Sequence, residues 1–155
     1  MLSIEDKKAI KVATKKTFIV SGKTFNASCV YPGESYNYPL ILLNYIDEGG
    51  YTQKSIGDNI KTANKGQRSA AHLSITIETK AGTTSQNLNK STLAEQIALQ
   101  LFTDIKTNWT GLNSGSVKAG ELSKVRNLTS VYEALQITDI ARYQFDVELR
   151  YNISW

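Results

Sequence analysis

The chain has 155 residues, of which 41% are hydrophobic and 21% are charged, and this is the composition of one soluble domain. A domain of this size buries about 70% of its unfolded surface, so it needs neither a metal nor a disulfide to fold. The single cysteine, Cys29, excludes an internal disulfide and suits a reducing compartment. The sequence shows no signal-peptide pattern and no apolar run long enough to span a bilayer.

The net charge of +4 is confined to the N-terminus. Residues 1–24 contain six lysines against Glu5 and Asp6, whereas the charges of residues 25–155 cancel. Two interpretations stay open, namely a solvated helix face and a basic patch that binds an acidic partner surface or phosphates. The candidate residues for such a patch are Lys7, Lys8, Lys11 and Lys15.

The first predicted element is a helix over residues 4–16. Ser3 and Asp6 form a capping-box pattern before it. Its predicted buried side consists of four residues, Ile4, Ala9, Val12 and Ala13. A strand at residues 18–20 and a turn at residues 21–23 follow. Alternation then predicts a strand over residues 25–31, with Cys29 as a packed thiol rather than a nucleophile, because no base lies nearby in the sequence.

Residues 40–46 form the most apolar segment, which predicts a central strand covered on both faces. The polar residues 47–69 predict a long projecting hairpin or loop. Its candidate contact residues are Lys54, Lys61, Lys65 and Arg68. Alternation over residues 71–78 predicts a half-buried strand with His72 on its polar face. A lone histidine without further ligands or a neighbouring nucleophile does not favour a metal or catalytic site.

The strongest helical pattern lies between residues 92 and 110. Thr92 and Glu95 form a capping box, and Gly111 marks the end. The buried stripe repeats every four residues, at Leu93, Ile97, Leu101, Ile105 and Trp109. Residues 112–120 are predicted to be a flexible connection. The apolar residues of 121–133 do not keep to alternate positions, which predicts either a bulged strand or a strand with an irregular start. This strand is expected to pair with the last strand as an antiparallel hairpin.

Residues 143–155 alternate strictly between apolar odd positions and polar even positions. This pattern predicts a strand whose apolar side is covered by the long helix. Its polar side carries the candidate residues Asp146, Glu148 and Arg150. A paired-carboxylate site is compatible with this spacing, but a cross-strand charge ladder explains the row more simply. With no catalytic, metal or cofactor motif recognised, the sequence favours a protein that is not an enzyme.

These elements predict a single domain of the α+β class over residues 1–155. It is expected to contain a mixed, mostly antiparallel sheet, an N-terminal helix and one long amphipathic helix packed on one face.

The order of these elements, with Tyr38-Pro39 before the apolar strand and the closing run from Arg142 to Tyr151, resembles the tail terminator proteins of long-tailed viruses. The resemblance implies a virion protein of the neck, assembled in the host cytoplasm. It implies a homo-hexameric ring that caps the tail tube protein and meets the head-side connector protein. It further implies a lumen through which DNA passes without sequence-specific binding, and neither a catalytic residue, a cofactor nor a membrane contact.

Two other classes of function remain open. One is a different head-tail connector or tail-tube ring component, which would have a similar fold and mass. The other is a nucleic-acid-binding module that uses the basic N-terminus, for which a steep salt dependence of binding is the expected signature.

Overall fold

The computed structural model of the protein describes residues 2–34, 37–51, 66–80, 89–113, 115–129 and 140–154. Within these ranges the chain forms two helices and eight strands. In chain order they are α1 (Ile4–Ala13), β1 (Thr17–Val20), β2 (Lys23–Asn26), β3 (Ser28–Val30), β4 (Leu40–Tyr51), β5 (Gly66–Lys80), α2 (Lys90–Asn108), β6 (Val117–Leu122), β7 (Arg126–Asn127) and β8 (Ile140–Ser154). No helix in the described ranges is long and apolar enough to cross a membrane.

The main sheet confirms the predicted α+β class. Its strand order is β3-β4-β5-β8-β6, with β7 also paired to β8. Only the β3–β4 pair is parallel among the described strand pairs, and the others are antiparallel. Strands β5 and β8 pair without interruption from Gly66↔Ser154 to Lys80↔Ile140. These two long strands therefore form the centre of the sheet.

The position predicted for the apolar segment at residues 40–46 is wrong in one respect. It forms β4, but this strand lies beside the short strand β3 rather than at the centre. Strand β3 pairs with β4 only from Leu40 to Leu42. Leu40 and Ile41 point to opposite faces and are 1% and 0% exposed, whereas Ile46 is 64% exposed. The uninterrupted apolar run thus reflects burial on both faces at one end of the strand only.

Helix α1 begins where the capping pattern predicts, since Ser3 Oγ accepts a hydrogen bond from the Asp6 amide at 3.0 Å. The predicted end at residue 16 is too late, because the helix ends at Ala13 and Thr14 caps it. The predicted inward side is wrong for two of its four residues. Ala9 is half-buried and Ala13 packs against the core, whereas Ile4 and Val12 are 68% and 80% exposed. The helix is turned so that Ile10, which was not predicted to be buried, faces the core.

Strands β1 and β2 form a separate hairpin. The two residues of its turn, Ser21 and Gly22, both have positive φ, at 51° and 77°, as a type I′ turn requires. The predicted strand over residues 25–31 is divided between two sheets. Strand β2 pairs with β1, and β3 pairs with β4, so the chain changes sheets at Ala27. Local alternation continues across this change and does not reveal it.

Helix α2 covers one face of the sheet, as predicted. The stripe from Leu93 to Ile105 is fully buried, and Trp109 is 1% exposed. Against it lie the odd-numbered residues of β8, where Phe102 and Phe145 meet edge to face with ring centres 5.5 Å apart. The predicted start at Thr92 is wrong, because Asn89 is the N-cap and accepts from the Thr92 amide at 2.7 Å.

The segment after α2 is more ordered than its glycine content predicts. Strand β6 already begins at Val117, inside the predicted flexible connection, and pairs with β8. A register shift between Ala119 and Leu122 supplies the irregularity expected of a bulged strand. The predicted strand over residues 121–133 is therefore displaced towards the N-terminus, and its last part, residues 130–133, lies outside the described residues.

Candidate interaction surfaces

The face of the sheet opposite α2 carries polar side chains, and we call it the polar face. It is defined by the even-numbered residues of β8 and by the β4 and β5 residues in register with them. Those with described side chains on β8 are Arg142, Gln144, Asp146, Glu148 and Arg150, with Asn44, His72, Ser74, Thr76 and Glu78 alongside. Small side chains at its centre are buried, as Ser74 and Thr76 show at 1% exposure each. The amide of Gln144 lies over Ser74 and donates a hydrogen bond to its hydroxyl.

Three candidate residues of the polar face form two ion pairs. Glu148 Oε1 lies 2.5 Å from Arg150 Nε, and this contact raises the pKa of the Arg150 guanidinium. Asp146 Oδ2 lies 3.5 Å from Arg126 Nη2, and Arg126 also reaches the Gln144 side-chain oxygen at 3.4 Å. Of these two pairs, only Asp146–Arg126 crosses between strands, whereas Glu148–Arg150 lies along β8.

Gly120 makes room for one of these ion pairs. It lies in the bulge of β6, and a Cβ atom added there would come within 2.5 Å of Arg150 Nε and 2.9 Å of Glu148 Oε1. The missing side chain thus lets the Glu148–Arg150 pair lie across the bulge. Sequence reasoning missed both Gly120 and Arg126. A glycine inside a strand is a recognised signal of a close approach, whereas nothing local singles out Arg126.

The N-terminal lysines lie on and just after α1, and several have intramolecular contacts. The ammonium groups of Lys7, Lys11 and Lys15 lie 5.0, 4.5 and 5.7 Å from the ring centres of Tyr45, Tyr31 and Phe18, respectively. Such cation–π contacts hold the side chains against the domain. Lys8 is exposed to solvent. The structure thus places Lys7, Lys8 and Lys11 on α1 and Lys15 two residues beyond its end, in different environments.

One acidic residue neutralises part of this basic segment. Lys11 Nζ lies 3.3 Å from Glu34 Oε1. The same carboxylate accepts a hydrogen bond from the Tyr31 amide, and this bond is the main reason why the pKa of Glu34 lies below its ordinary value, with Lys11 adding to the effect. Lys16, which was not a candidate, donates to the carbonyls of Lys11 and Thr14 at the end of α1. Its positive charge therefore stabilises the C-terminus of α1, where the helix dipole is negative.

The structure describes the backbone of only one of the four candidates in the predicted projecting segment, namely Arg68. Lys54, Lys61 and Lys65 lie outside the described residues. Arg68 belongs to β5, where its backbone is in register with Asn152 of β8. The antiparallel pairing of β4 with β5 brings the flanking residues Tyr51 and Ser69 together.

The two ends of the sheet differ in how far their edges are open within the described part of the chain. From Leu43 to Tyr51, β4 pairs with β5 on one side and has no described strand on the other. At the opposite end, the outer edge of β6 is partly occupied, because Val117 forms a bridge with Leu112 and the Ala119 amide donates to the Trp109 carbonyl at 2.9 Å. Both edge strands contain register shifts, which is how natural sheets limit uncontrolled edge pairing.

The remaining polar features do not form a reaction centre in the ranges that the structure covers. His72 is exposed on the polar face, and no group of three metal-binding side chains occurs among the described residues. Cys29 is buried against the core, and this burial raises the pKa of its thiol. A shallow open groove of about 440 Å³ lies along the outer side of α2, lined by residues that include Lys15, Leu99 and Thr103.

No protein-family model matches this chain, and no curated protein matches it at a significant level.

Proposed function

We propose that the protein is a structural virion subunit of the tail-terminator type, which forms a hexameric ring that caps the tail tube and joins it to the head-side connector. The observation that carries the proposal is the one-sided sheet. Helix α2 covers one face of the long β5–β8 pair, and the other face presents polar side chains whose charges are paired with one another. Such a face suits contact with neighbouring subunits or the wall of a lumen.

The edges of the sheet support assembly into a ring. The open edge of β4 lies at one end of the sheet, and β6, whose outer edge is already bonded to Leu112 and Trp109, lies at the other. A contact between two different surfaces of identical subunits is heterologous. It closes into a ring when a whole number of such rotations makes one full turn. Pairing of edge strands is a common means of forming such contacts. In this proposal the open β4 edge of one subunit meets a different surface of the next, on the β6 side of its sheet.

The charge balance of the polar face fits a lumen through which DNA passes. A strongly basic wall would retain DNA, because each phosphate contact releases counterions and contributes to affinity. Here Arg126 and Arg150 are paired with Asp146 and Glu148. Arg142 lies opposite Glu78, whereas Lys118 beside Arg150 is exposed. The charge of the polar face is therefore mixed rather than strongly basic.

The alternative function in nucleic-acid binding receives less support. Lys11 is paired with Glu34, and Lys16 is bound to carbonyls at the end of α1, so part of the basic charge is already used within the fold. The other alternative, a connector or tail-tube component, shares the ring and differs only in which rings it meets. Binding to purified tail tubes distinguishes these two, since a terminator binds one tube end and stops its extension.

Light scattering of the purified protein tests ring formation. We expect a mass six times the 17.2 kDa of the chain, either alone or after tail tubes are added, with rings visible by electron microscopy. Ile46→Lys should reduce assembly, because a lysine on an edge strand opposes strand pairing. Ile19→Lys is the matched control, since Ile19 is 65% exposed on the separate β1–β2 hairpin. A protein that stays monomeric with and without tubes would refute the proposal.

A further inference from the structure

We draw no further inference here: the strongest candidate, the shallow open groove along the outer side of α2 that Lys15, Leu99 and Thr103 help to line, carries none, because nothing in the described part of the chain shows what covers it.

Discussion

Replacing Phe145 by alanine tests whether α2 covers the apolar face of β8. Phe145 is 0% exposed and meets the ring of Phe102 edge to face at 5.5 Å. Truncating a buried phenylalanine costs about 3–5 kcal/mol, because apolar contacts are lost and a cavity remains. The aromatic pair itself accounts for about 0.5–1.5 kcal/mol of this. A domain has a total stability of about 5–15 kcal/mol, so the variant should fold but unfold much more easily.

The measurement is urea-induced unfolding followed by far-ultraviolet circular dichroism at one fixed protein concentration, because assembly also contributes to apparent stability. Phe145→Leu should lose clearly less than Phe145→Ala, since most of the volume is kept. Leu99→Ala is the matched control on the exposed side of α2, where Leu99 is 41% exposed, and should cost less than about 1 kcal/mol. A loss below about 1 kcal/mol for Phe145→Ala would show that α2 does not cover this strand.

Three further predictions concern single residues. Gly22→Ala should cost about 1–2 kcal/mol in a thermal melt, because φ is +77° there while no atom lies within 4 Å of the added Cβ. Gly120→Ala should displace the Glu148–Arg150 pair with a smaller loss than Gly22→Ala, and this loss should disappear when Glu148 and Arg150 are both alanine as well. A loss that persisted would place the clash in the backbone. Cys29 should resist thiol reagents until urea unfolds the chain, because it is buried and its pKa is raised. The thiol ionises at a lower pH in the unfolded chain than in the folded one. The free energy of unfolding should therefore also fall as pH rises above 9.0, the ordinary pKa of the thiol, and Cys29→Ser should lose that dependence.

The candidate surfaces were predictable only in part. The lysines of the first helix could be placed on one segment because helix position follows from the capping pattern at Ser3. Their environments could not be predicted, because Glu34 and the ring of Tyr45 come from distant parts of the chain. The same holds for Arg126, whose contact with Asp146 joins residues twenty positions apart.

The sequence by itself determined the two elements on which the fold depends. The alternation of residues 143–155 and the four-residue repeat of α2 are local periodicities, and each requires one face to be buried whatever covers it. Only the tertiary structure decided which strands are central, where β6 begins and which side of α1 faces the core. These features depend on pairing between residues far apart in the chain, such as Ile75 with Phe145 and Val117 with Tyr151. No local pattern specifies those partners, because the free energy of each pairing is gained only when the whole sheet is assembled.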